Sequence, residues 1–414
     1  MTMKCIAGMS LMLATLATLA PAGQGGTEGF IYGKITMRDG EVYTGTMRWG
    51  TQECFWDDIF NATKEDNPWL KYVDRDDRDR RREWRDDRGV RIKIFGIDIH
   101  DGFGWAGAHL FICRFGDIET IEVKRGDRAI LKMKGGSEFE LTGWGDIQEK
   151  IQILDQALGR LKVDWDEIRE IEFMPTPPNA RVDGYRLKGK VKARGMEFSG
   201  YVMWDAEECL STDVLDGESR NRDMEIEFGN IRSIERLSSR SCRVKLKDGR
   251  DFDLSGTNDV NDENRNIFVE DPRYGKVEIG WDDLDEVQYS DEEEDSGHPY
   301  SDFAARGPLK GNVVTTGRES YSGKFVFDLD ESEGFEMLNG DLGDISFNIP
   351  FYMVASITPR NSGSSTVKVR SGDELRLEEA QDVTDSNDGI LFLESAKKRT
   401  YIPWEEVDTI TFEK

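Results

Sequence analysis

The sequence predicts an all-β protein of three tandem repeats. Each repeat would form one or two small open β-barrels or sandwiches, and the first would carry a charged helical insertion. Three observations carry this. The segments Ile151–Phe173, Ile267–Tyr289 and Ile390–Phe412 align without a gap, and a fixed frame at long period marks one supersecondary unit used repeatedly. Large and polar residues alternate across short runs, which is the strand period. Asp248-Gly249, Gly135-Gly136 and Ser371-Gly372 stand between such runs, where a tight hairpin turn needs positive φ.

The 414-residue chain is 37% hydrophobic, 33% charged and 10% aromatic. That aromatic content argues against a wholly disordered chain. Acids outnumber bases 82 to 55, giving a net charge of −27. Such a surface repels phosphate backbones and anionic lipid, so nucleic acid is not an expected partner. Cationic ligands, divalent metals and basic protein patches suit it better.

Residues 1–22 read as a signal peptide. Lys4 precedes an apolar stretch from Ile6 to Leu19, and Ala20-Pro21-Ala22 offers a small-residue cleavage pattern. A retained anchor helix is the alternative reading. No other stretch has the length to span a membrane. A periplasmic or extracellular location follows. Export permits disulfides among Cys54, Cys113, Cys209 and Cys242; four buried free thiols are the competing expectation.

The first repeat spans 23–174, with the insertion at about 65–110. Within it Asp74 to Arg88 holds seven acids and seven arginines, spaced to support an exposed helix through i,i+4 pairs. Met174-Pro175-Thr176-Pro177-Pro178 reads as a stiff linker. The second repeat spans 183–289, an acidic flexible linker spans 290–306, and the third repeat spans 307–414. Each early half repeats as well: Gly33-Lys34-Ile35, Gly189-Lys190-Val191 and Gly311-Asn312-Val313, followed by Trp49, Trp204 and Phe327. Each late half carries a tryptophan fourteen residues after its opening isoleucine, at Trp165, Trp281 and Trp404, and two acids follow it. These tryptophans suit packing, although an indole face also suits a sugar ring. Ile147, Ile151, Leu154 and Leu158 fall at helical spacing. The aligned stretch holds Pro272, so a strand is expected from Ile151.

Strand, tight turn, strand and a short closing strand such as Phe115-Gly116-Asp117-Ile118-Glu119-Thr120-Ile121 recur within each half. In this spacing the chain resembles Sm-like five-stranded open barrels and uncharacterised secreted bacterial β-repeat proteins. The resemblance implies a small-barrel fold and no activity.

Catalytic constellations are scarce. The three histidines, His100, His109 and His298, occupy no repeated position, so no Ser-His-Asp or Cys-His arrangement fits every repeat. The adjacent acids Asp282-Asp283 would face opposite ways on a strand, unlike a glycosidase pair. The loops holding Asp259, Asp262 and Asn264, and Asp382, Asp385 and Asn387, repeat in register. They could supply calcium oxygens or cap tight turns. Trp84, Arg85, Phe103 and Trp105 in the insertion are the candidate ligand-binding residues. The expectation is a noncatalytic exported binding or scaffold protein of the envelope, with a protein or glycan partner and no required cofactor. The alternatives are a calcium-dependent carbohydrate-binding or adhesion module, and a metal-dependent hydrolase centred on the insertion with His100 and His109.

Overall fold

The computed structural model describes residues 26–73, 92–94, 97–99, 109–143, 145–291, 296–395 and 398–414. Every regular element among them is a strand or a three-residue 3-10 turn. The protein is therefore all-β.

Three stretches of chain, 32–173, 188–289 and 310–412, pair their strands in the same order. In the second stretch, five strands run Gly275–Ile279, Ile267–Asp271, Met196–Met203, Lys188–Ala193 and Leu284–Tyr289. Leu284–Tyr289 pairs onward to Ile231–Ser238, followed by Ser241–Leu246, Asp251–Ser255, Val214–Ser219 and Arg222–Glu227. The second group of five is thus inserted in the chain between two strands of the first group. The first and third stretches give the corresponding orders. All these pairs are antiparallel, so hairpins make most of the connections.

The repeated glycines follow from this pairing. A Cβ on Gly33 would lie 2.4 Å from Glu172 O, one on Gly189 2.5 Å from Gln288 O, and one on Gly311 2.1 Å from Thr411 O. No real side chain fits there, so the paired backbones approach only because these residues lack one. The hairpin turns behave as their sequences demand: Gly136, Gly249 and Gly372 have φ of 86°, 93° and 106°. The strand expected from Ile151 is observed as Ile151–Asp155.

Separate tandem units are not what forms. The second and third stretches make one continuous 20-stranded sheet, because Gly275–Ile279 pairs with Ile345–Pro350. They also share a single apolar core running from Leu187 to Phe412. The first stretch keeps its own ten-stranded sheet and core.

The expected insertion and linker also need correction. The described part of 65–110 holds a 3-10 turn at Leu70–Tyr72 and the paired strands Ile92–Ile94 and Ile97–Ile99, with no α-helix. Its last residues open the strand His109–Arg114, which belongs to the main sheet. Residues 74–88, on which the helical expectation falls, lie outside the described residues, as does the signal segment 1–22. The described end of the acidic linker is a packed strap. Tyr300 and Phe303 are buried in the first core, Tyr300 OH donates to Ile118 O at 2.7 Å, and Lys134 Nζ lies 3.2 Å from the Tyr300 ring centroid. Its two aromatics, not the acids before them, decide how it packs.

Candidate functional site

The repeated tryptophans are structural. Trp165, Trp281 and Trp404 each open a 3-10 turn at a strand end and are buried. Each meets the aromatic residue of the early half edge-on: Trp49–Trp165 at 6.0 Å, Trp204–Trp281 at 6.1 Å and Phe327–Trp404 at 6.0 Å. Such pairs stabilise beyond their buried area.

The Asp/Asn loops also do backbone work. Asp146 Oδ2 accepts Asn61 N, Asp259 Oδ2 accepts Asp216 N, and Asp382 Oδ2 accepts Asn339 N, each at 2.7 Å. Asn264 and Asn387 donate to the carbonyls of Asp259 and Asp382. Asp262 N and Asp385 N donate to Ser239 O and Ser362 O. Of these seven loop residues, Asp382 alone joins a carboxylate cluster among the described residues, with Asp328 and Glu331. Trp84, Arg85, Phe103, Trp105 and His100 lie outside the described residues.

A second set of carboxylates clamps the stretches to one another. Asp58 Oδ2 accepts Cys54 N and Phe55 N, Asp213 Oδ2 accepts Cys209 N and Leu210 N, and Glu336 Oε2 accepts Ser332 N and Glu333 N. The other oxygen of each meets a cation from a different stretch. These are Lys276 on Asp58 at 3.4 Å, Arg48 on Asp213 at 2.8 Å and Lys64 on Glu336 at 2.6 Å. Arg186 adds a buried pair with Asp57 at 2.8 Å and lies over the rings of Phe55 and Tyr201. Cys54, Cys113, Cys209 and Cys242 are buried free thiols, and Cys54 and Cys209 lie together in a small apolar cluster between the first two stretches.

The large concavity lies where the stretches meet. It is a cleft of about 890 Å³, within the size range of small-ligand sites. The first stretch contributes Arg114, the second Lys188, Lys190, Tyr201, Glu270, Asp271, Arg273 and Tyr289, the strap His298, and the third Tyr352 and Arg370. Five Lys and Arg side chains against two acids make the lining locally cationic in a strongly acidic chain. Much of that charge is held internally. Arg114 pairs with Glu270 and donates to Tyr352 OH, and Arg273 pairs with Asp271 at 2.7 Å. Burial pushes Glu270 up to about 7 despite Arg114 beside it. Arg370 differs. Its guanidinium donates to the carbonyls of Tyr352, Phe412 and Glu413 at 2.8, 3.3 and 2.6 Å, and no carboxylate pairs with it among the described residues. Burial, with no anion opposing it, lowers its pKa.

Sequence reasoning missed this cleft because its cations are scattered over three stretches of chain. The net charge of −27 pointed toward cationic partners. Comparison with protein-family models, curated proteins and solved structures finds no match.

Proposed function

We propose that this is a noncatalytic, exported binding or scaffold protein built of three copies of one ten-strand unit, and that the cleft between the copies takes a ligand bearing an anionic group. The observation that carries the ligand class is Arg370, a guanidinium at the cleft wall held by three backbone carbonyls. Carbonyl oxygens fix its plane through Nε and Nη2 but do not neutralise it, which leaves Nη1 to meet an anionic oxygen. Tyr201 and Tyr352 also line the cleft, with Arg186 over the first ring and Arg306 over the second. A uronic-acid glycan therefore fits the lining better than a neutral one. The noncatalytic reading is supported by the two acids of the lining, Glu270 and Asp271, which Arg114 and Arg273 hold in ion pairs. The three-copy reading is supported by the recurrence of the same carboxylate-to-backbone bonds at Asp58, Asp213 and Glu336.

Calorimetric titration with a uronic-acid oligosaccharide and its neutral counterpart tests this. The acidic glycan should bind, weaken with added salt, and lose about tenfold in affinity (~1.4 kcal/mol) in Arg370→Gln. Lys190→Gln, on an exposed side chain, should weaken it less. Equal binding of the neutral sugar, or an Arg370→Gln variant of unchanged affinity, rejects the reading.

A further inference from the structure

The third stretch holds a second polar cavity, which shares no lining residue with the cleft. Its volume is about 90 Å³, and one water needs only about 10–15 Å³. Leu110 and Ile112 of the first stretch close one side, and Asp328, Glu331 and Asp382 line the other. One oxygen from each of these carboxylates lies within 4.8 Å of the others, and all three residues are buried.

Lys64 is committed to Asp330 at 2.9 Å and Glu336 at 2.6 Å. Asp328 accepts Asp388 N and Gln381 Nε2, and Asp382 accepts Asn339 N through Oδ2. Glu331 leaves a gap in the bonding. Its residue is 9% accessible, and its buried Oε2 accepts no hydrogen bond from the protein. A buried carboxylate oxygen without a donor is costly unless a proton or a cation meets it.

The second stretch carries the same orphan, on Glu208 Oε2, beside a different loop residue. Asp205 and Glu208 occupy the positions of Asp328 and Glu331 in the aligned sequences, and Asp259 that of Asp382. There Arg265 N donates to Asp205 Oδ1, and the Arg265 guanidinium bridges Asp205 and Glu207 at 2.8 and 2.7 Å. In the third stretch the aligned residue is Asp388. Its N makes the same backbone bond to Asp328, but it brings an acid where the second stretch has a guanidinium.

We propose that Asp328, Glu331 and Asp382 form a binding site for one divalent metal cation. The donors are all oxygens, which selects hard cations of the calcium and magnesium kind over zinc or copper. Three carboxylates leave several coordination positions for water, and the cavity has the room. The site sits where the third stretch meets the first, with Leu110 and Ile112 lining the same cavity.

The test uses the full chain, stripped of metal with a chelator and dialysed. Calcium is titrated calorimetrically, with magnesium and manganese as parallel arms, and melting is followed as the ion concentration rises. One equivalent of calcium or magnesium should bind with saturation, and the melting midpoint should climb with the logarithm of ion concentration. Glu331→Gln and Asp382→Asn should each weaken binding at least tenfold. Asp259→Asn, at the aligned position of the second stretch, should leave it unchanged. No saturable binding by the wild-type protein at millimolar ion overturns the proposal, whatever the variants do. So does equal affinity in Glu331→Gln and Asp382→Asn. A midpoint that responds to pH and to no cation also overturns it, because Glu331 and Asp382 then share a proton in place of a metal.

Discussion

The second and third stretches carry the same buried Glu–Asp pair on the same backbone, yet their surroundings treat it differently. Around Glu208 and Asp259, Asp205 is tied to Arg265, a residue of the same loop. Around Glu331 and Asp382 the loop offers Asp388 instead, and the nearest lysine, Lys64, arrives from the first stretch and is taken by Asp330 and Glu336. The first stretch is simpler again: Gly50 stands where the others have an aspartate, leaving Glu53 and Asp146 as a pair. The fold thus tolerates one buried acid pair in three electrostatic settings. What separates them is the source of the nearby positive charge: Lys276 from the second stretch beside Glu53 and Asp146, Arg265 from within the second stretch, and Lys64 from the first stretch beside Glu331 and Asp382.

The largest effect should come from removing the imported charge. Lys64→Met removes the buried lysine that pairs with Asp330 and Glu336, and should cost about 3–5 kcal/mol in denaturant unfolding. Arg48→Met, which removes the corresponding cation from Asp213 at a more accessible site, should cost less. Equal and small losses would mean that the clamps do not hold the stretches together.

Next in size is a transplant. Arg265→Asp gives the second stretch the loop residue of the third. It should destabilise the chelated protein by about 1–3 kcal/mol, since Asp205 loses its guanidinium. If the inserted acid creates the third stretch's setting, added calcium should recover part of the loss. A variant as stable as the parent in chelator would break the comparison at its root.

The smallest effect is a slope. Burial pushes Asp146 up to about 8, with the hydrogen bond from Asn61 N lowering it only in part. A raised acid favours the native state while protonated. Its contribution is full below about pH 4 and is lost as pH rises through about 8. Between those limits stability should fall with rising pH, and Asp146→Asn should flatten the fall. Midpoints measured from pH 5 to 8 check the sign.

Strand alternation, the Asp248-Gly249 turn and the ungapped tryptophan frame made the all-β class legible, because each is a local consequence of backbone geometry. The strand at Ile151 was readable against helical spacing because an aligned proline excluded the helix. The joined sheet was not readable. Nothing local in Gly275–Ile279 says that its free edge meets Ile345–Pro350, since that choice belongs to the packing of whole stretches. The strap was misread because a run of acids outweighed Tyr300 and Phe303. In the candidate sites, Asp382 was legible as an oxygen donor. Its partners Asp328 and Glu331 lie about fifty residues earlier, and only the folded sheet brings them near. The cationic cleft was hidden by averaging charge over the chain.

The strand Gly275–Ile279 has a further consequence during synthesis. Its partner Ile345–Pro350 is translated roughly 65 residues later, and ribosomes add about 5–20 residues per second. For several seconds the nascent second stretch therefore presents an unpaired edge of main-chain amides and carbonyls, the geometry that recruits foreign strands. A chain halted or cleaved before Ile345 would keep that edge bare and should aggregate.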